Sequence, residues 1–532
     1  MSKLTQSWIS ARCLALAAIV SFAPRAACAA ITVDSAGDDA PGAPNKQCTL
    51  REAVTNAVDH AQTEPDCTTG GTTTDIAFDS HVAVVNLDPK LGPLQVGLDS
   101  DVVIHGPVTV TLPPGVTGVS QFFVDAGSRL ELDDVVLENG NAVEGGLIRA
   151  DGEIVMHGGA ARLGHATLGG AIAVRDRATF SGVEFSANTA RTGGAIEIDS
   201  TADVLIEDSQ FFANGATDTG GAVSAVNGFG HLTIWRTSFI ANRADSPLTG
   251  SGGALSIAGH GTVRIEDSII NRNVSTGPLG GAGAEFGVNA RAQIVNTEFR
   301  DNQVESLKPT AVGGGFAHRG GALGSIDVAR SNFSGNIAWV GGGAFVGPGS
   351  LLTIENTTLT GNFADPAGLP ARPDSGSGAA LYADSAAVEF RNVTVKDNAG
   401  VSQLSAHNAA ELRFANTVAW APQGVLNCDG QGARVNLTSS MQSPDAAGAS
   451  CSLAVIASPA SAVFDGPSTI FTSAAGPPMV AVSHEIWSPK SGGPLSKSGD
   501  KTTCSDPALV GGIDERELPR AVACDVGAIE GP

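Results

Sequence analysis

Aromatic side chains are scarce in this chain: one Tyr, five Trp and 20 Phe among 532 residues. With so few Tyr and Trp, recognition of sugars by ring stacking has little to draw on. Cationic side chains are short as well, 31 Lys and Arg against 54 Asp and Glu, for a formal charge of −23. Such a balance repels nucleic acid and bare anionic polysaccharide and keeps an exported protein dissolved. It suits divalent cations, calcium among them, although no Asp/Asn loop has calcium-ligand spacing. No Cys-x-x-Cys and no His cluster is present, which removes the common zinc frameworks. Past residue 29 no apolar run is long enough to cross a bilayer.

What is present begins with an export signal. Lys3 and Arg12 precede an apolar run from Leu14 to Ala23, and Ala27-Cys28-Ala29 reads as a cleavage site. We expect cleavage after Ala29 and a soluble product that is extracellular, on the cell surface or periplasmic. Arg25 stands where a lipoprotein signal needs an apolar residue before Cys28. The six cysteines beyond the signal fall into pairs close in sequence: Cys48 with Cys67, Cys428 with Cys451, Cys504 with Cys524. In an exported chain such pairs read as disulfides, here stapling the two ends of the fold.

Between those ends one frame recurs. Gly193-Gly194-Ala195 leads to Val204, Ile206 and Ser209, then Phe211 and Asn214; Gly220-Gly221-Ala222 leads to Leu232, Ile234 and Thr237, then Phe239 and Asn242. Ile270 and Asn273, Phe299 and Asn302, Phe333 and Asn336, Leu359 and Asn362, and Val395 and Asn398 close later copies, with Phe185 and Asn188 ahead of them. Apolar residues two apart have the period of a strand. A constant frame with insertions of variable length is the mark of a solenoid. Gly-Gly supplies positive φ, and each Asn is expected to take left-handed angles at a bend and to bond to the Asn of the next coil. Leu130, Leu132 and Leu137 look like an earlier coil, and Ile154, Met156, Ala161 and Gly164 like a degenerate one. The stack is expected to begin near residue 75. Roughly ten coils at about 4.8 Å make a rod of about 50 Å.

Cys48-Thr49-Leu50-Arg51-Glu52-Ala53, opening an amphipathic helix that reaches about Ala61, resembles the CSLREA domain found at the N-terminus of exported bacterial β-helix proteins, with Thr49 in place of Ser. Gly193 to Ile196 and the Phe-x-x-Asn steps resemble the repeats of polymorphic outer-membrane proteins, which implies an adhesin-like passenger fold. Arg516 to Arg520 and Cys524 to Glu530 resemble the choice-of-anchor Q region of the same group of exported proteins; Asp514-Glu515-Arg516-Glu517 replaces its Asp-Gln-Arg-Gly. These resemblances imply an all-β, single-stranded right-handed parallel β-helix with a short capping helix, and they imply no settled activity. The expected organisation is a signal over 1–29, a cap over 30–75, repeats over 76–425, and C-terminal coils with the anchor-like end over 426–532.

Right-handed β-helices include pectin- and alginate-degrading enzymes, so catalytic residues must be sought. Asp199, Asp203 and Asp208 lie near one another, with Arg175 and Arg177 one coil away; they are the candidates for a lyase or hydrolase. Gly259-His260-Gly261 lacks the acidic elements that a polygalacturonase motif places before it and occupies an ordinary inter-strand turn. His157 and His165 read as turn histidines on a solvated surface, with ligation as the alternative. Asp133-Asp134 fills the slot of Asp208 and Asp267, and Arg51 and Glu52 read as cap contacts. With no convergent acid/base set, the favoured reading is a monomeric, non-catalytic rod without an obligatory cofactor. It would bind an extracellular or cell-surface protein or glycan through turns such as Ser246 to Ser251, Val304 to Gly315 and Asp365 to Ser377. A polysaccharide lyase or hydrolase is the alternative.

Overall fold

Every frame closes one coil, and each coil lies in register on the one before. One copy shows how. Asp203–Glu207 is a five-residue strand with Val204 and Ile206 pointing inward. Asp208 turns the chain at φ 49°, and the short strand Gln210–Phe212 follows with Phe211 buried. Ala213, at φ 54°, makes the next corner ahead of Asn214 and the strand Gly215–Thr219. Gly220, at φ 65°, makes the third, and Val223–Ala225 closes the turn. Stacking the copies produces one 28-stranded sheet that bends between its five- and three-residue strands, a 13-stranded sheet and a 7-stranded sheet. Pairing between successive coils is parallel, as in Val204 with Leu232 and Leu232 with Val263. The chain is an all-β parallel solenoid.

The computed structural model describes residues 30–40, 42, 45–67, 74–97, 99–199, 201–226, 228–306, 311–364, 376–420, 426–429, 433–438, 440–442, 454–455, 464–475, 480–491, 494–500, 503–504, 514–516, 518, 520 and 524–529. The export signal and Cys451 lie outside them, as do 307–310 and 365–375 of the proposed contact turns.

A single apolar core runs the length of the stack, from Ile31 to Leu426. Phenylalanines in register stack within it: Phe185, Phe211 and Phe239 lie face to face with centroids 4.6 Å apart. Two polar ladders border this core. In the first, each Asn amide Nδ2 donates to the Asn Oδ1 of the next coil, from Asn188 through Asn214, Asn242, Asn273, Asn302, Asn336 and Asn362 to Asn398, at 2.8–3.0 Å. The same Oδ1 accepts the backbone N–H of the preceding rung, as Asn242 Oδ1 does from Asn214 at 3.0 Å. Nδ2 also reaches a carbonyl one coil back, as Asn242 does to Phe211 at 3.0 Å. Gln403 accepts from Asn398 at the last rung, and Gly164 donates its N–H to Asn188 at the first. Ser209, Thr237, Ser268, Thr297, Ser331 and Thr357 form the second ladder, in which the backbone N–H groups of Ser209, Thr237, Thr297 and Ser331 meet the hydroxyl of the next coil.

The left-handed angles fall one residue earlier than expected. Ala187, Ala213, Ala241, Arg272, Asp301 and Asp397 have positive φ, and Gly335 and Gly361 do so in the same slot. The reason is a division of labour: the exposed residue takes the strained corner, leaving the buried Asn to satisfy the backbone on both sides. The glycines also divide their work. Gly193 has φ 61°, whereas a Cβ on Gly194 would stand 2.0 Å from the Gly221 carbonyl oxygen of the next coil.

Parallel pairing reaches further back than residue 75, because Ile31–Val33 pairs with Asp75–Phe78. Above this first strand sits the helix Leu50–Asp59. Thr49 and Glu52 form its capping box. Arg51 holds Asp38 through two bonds of 2.8 Å and donates to the carbonyls of Gly92 and Pro93. Both side chains are therefore cap contacts, and Cys48–Cys67 ties the same end. At the other end the chain leaves the frame. Phe464–Ala475 and Val480–Pro489 form an antiparallel pair, and the second strand packs across Glu298–Arg300, Asn332–Ser334 and Thr358–Thr360. The anchor-like end also folds back along the rod. Glu515 accepts from the Thr358 hydroxyl at 2.7 Å, Arg520 donates to Asn356 at 3.1 Å, and Cys504–Cys524 lies against Asn416.

Replacing a middle rung tests the ladder. Asn242→Ala orphans the two Asn214 donors, each worth about 1–3 kcal/mol when buried, and removes one partner of the Phe211 carbonyl. We expect a loss of about 3 kcal/mol or more and a lower urea midpoint, whereas Arg243→Ala on the surface next to it changes the midpoint little.

Candidate functional site

In-register stacking turns each outward strand position into a column along the rod. The first such column of the bent sheet alternates in charge through Asp101, Arg129, Glu153, Arg177, Asp203 and His231. Arg129 lies 2.8 Å from Asp101 and 3.6 Å from Glu153, Arg177 is 3.8 Å from Glu153, and His231 is 3.0 Å from Asp203. The His231 hydrogen bond holds the Asp203 carboxyl below the usual range. Like charges directly opposite would repel, so alternation supports register. Asp203 is a rung of this column. Asp208 occupies the strained corner and pairs with Arg236 of the next coil, Nε to Oδ1 at 2.6 Å. Asp134 and Asp267 share that corner conformation.

Asp199 and Arg175 do come together, 3.9 Å apart, each just past the end of a strand of the 13-stranded sheet. Arg175 also binds Glu144 at 2.6 Å and Asp151 at 3.0 Å. Asp203 and Asp208 stand elsewhere in ion pairs of their own, so the four candidates do not converge. Beside Asp199 lies a residue that sequence reasoning missed. Glu197 is the middle residue of Ile196–Ile198 and faces the concave corner between the 13- and 7-stranded sheets, with 3 % of its surface exposed. Burial pushes its carboxyl up to about 7. The Thr192 and Ser224 hydroxyls offset part of that rise, although neither carboxylate oxygen is in hydrogen-bonding geometry with them. In Ala-Ile-Glu-Ile the alternation reads as an ordinary outward position. The signal lay in Thr192 and Ser224, which pack against the same corner.

The space beside Glu197, bounded by Glu144, Leu168, Ala173, Arg175 and Asp199, is about 10 Å³. That is room for barely one water, so a sugar cannot reach the carboxyl. The corner continues along later coils with Ser251, Ser256 and buried Glu285, which pairs with half-buried Arg319 at 3.5 Å. It then turns apolar at Val312, Trp339 and Tyr382. Inside the core His318 replaces the Phe286 and Val346 of neighbouring coils. It is fully buried, neither ring nitrogen has a hydrogen-bond partner, and desolvation lowers it to about 4.

An open concavity lies on the bent sheet. A trough of about 440 Å³ crosses four consecutive coils, with His231 and Thr233, Thr262 and Arg264, Arg291 and Gln293, and Ser325 and Asp327 on its floor. Arg264 is held by Glu266 and reaches Gln293 at 3.2 Å; Arg291 donates Nε to the Leu323 carbonyl at 3.1 Å. Trp235, on the same face, is already engaged. Arg236 stacks 3.1 Å from its ring centroid, and its Nε1 donates to Asp267 at 3.0 Å.

Residues 226–419 match the family model of the right handed beta helix region. The matched segment contains the whole trough. No curated protein matches the chain. Among the described residues no helix is long and apolar enough to cross a membrane.

Glu197 and His318 give stability opposite pH slopes. The folded carboxyl sits at about 7 against an ordinary 4.5, so its contribution is full below 4.5 and is lost as pH rises through 7. The folded imidazole sits at about 4 against 6.5, so its contribution is full above 6.5 and is lost as pH falls through 4. Urea unfolding across pH 4–8 should show Glu197→Gln stabilising by roughly 3 kcal/mol at pH 8 and His318→Leu by a similar amount at pH 4. The pH-dependent part of each gain should vanish at the opposite end of the range.

Proposed function

We propose that the chain is an exported β-helix rod that binds an extended, carboxylate-bearing glycan along the trough of the bent sheet. The observation that carries this reading is the trough itself, a straight floor across four coils with Arg264 and Arg291 on it. Three inter-coil steps of about 4.8 Å give a floor about 14 Å long, enough for a short run of sugar rings. Arg291 matches a carboxylate, Arg264 meets one only by sharing its contact with Glu266, and Gln293, Thr233 and Thr262 match hydroxyls. Because Trp235 is already engaged, recognition rests on charge and hydrogen bonds, in keeping with a chain poor in aromatics. The net negative charge of the chain and Asp327 on the floor oppose an anionic polymer, so the guanidinium contacts must outweigh that repulsion at short range, where salt screens the rest.

Export is supported by the signal-like first 29 residues and by the disulfides Cys48–Cys67 and Cys504–Cys524, which belong to oxidising compartments. The likenesses to CSLREA, choice-of-anchor Q and polymorphic outer-membrane proteins point to the same placement, at the cell surface, outside it or in the periplasm. A monomeric binding scaffold is favoured over a polysaccharide lyase or hydrolase, because Glu197, raised to about 7, is sealed, and the other raised carboxyls, Glu52, Glu285 and Glu355, are held by Thr49, Arg319 and Arg391. A glycosidase acid must touch the leaving oxygen.

Titration with polygalacturonate and alginate oligomers tests both readings. Binding should weaken with salt and fall roughly tenfold or more in Arg264→Gln/Arg291→Gln, each lost charged hydrogen bond being worth about 1.5–3 kcal/mol. Binding that ignores both substitutions would overturn the proposal. Release of shortened or unsaturated products would put the enzyme reading in its place.

A further inference from the structure

Nearer the N-terminal end, the bent sheet carries a second group of side chains that the repeat does not require. Glu131 and Asp133 project from the outer face of Arg129–Glu138, two residues apart, and His157 stands opposite Asp133 on the next coil. One donor atom from each lies within 4.8 Å of the other two. His157 Nε2 is 3.7 Å from Glu131 Oε1. Two ligand atoms about 2.1 Å from a tetrahedral centre are about 3.4 Å apart, so a small side-chain adjustment closes the set.

The oxygens facing away from this centre are already tethered. Arg129 binds Glu131 Oε2. His105 Nδ1 lies 2.9 Å from Asp133 Oδ2, and its Nε2 lies 3.0 Å from Asp75 Oδ1. Contacts of this kind orient metal ligands and leave the inner lone pairs available. Repeat grammar does not explain the cluster, because the following coils carry Val155, Thr179 and Leu205 in the Glu131 column. Among the described residues no other group of three His, Cys, Asp or Glu side chains brings donor atoms this close.

We propose that Glu131, Asp133 and His157 bind a divalent transition-metal ion of the zinc type, joining two adjacent coils and leaving a further position open to water. An imidazole nitrogen with two carboxylates suits zinc or cobalt better than calcium, which takes six to eight oxygens. The group is solvent-facing, so the ion enters without opening the fold.

Metal-stripped, untagged full chain titrated with Co²⁺, followed by its visible spectrum, and with Zn²⁺ in a calorimeter, tests the site. We expect one tight equivalent and the intense absorption of four-coordinate cobalt. Affinity should fall roughly tenfold or more in His157→Ala and in Asp133→Asn, and stay unchanged in His165→Ala, which alters a surface imidazole outside the group. Circular dichroism reports whether each variant is folded; if Asp133→Asn is not, His157→Ala at its exposed position decides alone. Absence of the cobalt spectrum, or wild-type affinity in folded His157→Ala, would overturn the assignment.

Discussion

The buried asparagine ladder is the interaction on which the rest of this structure depends. Each rung satisfies its own coil and both neighbours: Nδ2 caps a carbonyl below, and Oδ1 takes the backbone and amide donors of the preceding rung. A corner of a β-coil would otherwise leave buried N–H and C=O groups unpaired, at a cost that no single apolar contact offsets. Because a rung fits only when its coil lies directly on the last, the ladder also sets register. Phenylalanine stacking and the hydroxyl ladder then follow from the same alignment.

Register in turn decides what the surface can do. When every coil repeats one frame, an outward position becomes a column whose chemistry depends on which residues evolution varied there. The first column of the bent sheet uses that freedom for alternating charge, which supports stacking. From the coil of His231 onward the same face carries arginines, threonines and a glutamine, with Asp327 at the far end, and forms an open trough. The concave corner is different, because two sheets close over it. Polar residues there are sealed rather than displayed, and Glu197 and the Glu285–Arg319 pair pay in raised or lowered proton affinity for being held in a dry seam.

Much of the architecture was legible because the frame is written in residues with a single structural use. Phe-x-x-Asn and Gly-Gly-Ala marked corners, and apolar pairs two apart marked inward strands. The cap was legible from Thr49-Leu50-Arg51-Glu52, which is a capping box in sequence as in structure. Assigning left-handed angles to Asn was mistaken, since propensity for a conformation said nothing of which side chain must stay buried to close the hydrogen bonds. The site was less legible. Alternation identifies Glu197 as outward but cannot tell solvent from a second sheet, and only the register places His318 in the Phe286 column. Arg175 and Asp199 were found together, yet Asp203 and Asp208 were separated by corners invisible to spacing alone. Past Asn398 the frame fades, and nothing in the residues announced an antiparallel pair or an end that folds back over the coils.

Hydrogen–deuterium exchange of the intact chain tests the central claim most directly. If the ladder organises the fold, the backbone amides of Asn214, Asn242, Asn273 and Asn302 exchange as one slow group together with the strands on either side. Exchange of those amides as fast as the exposed turn over residues 246–251 would contradict it.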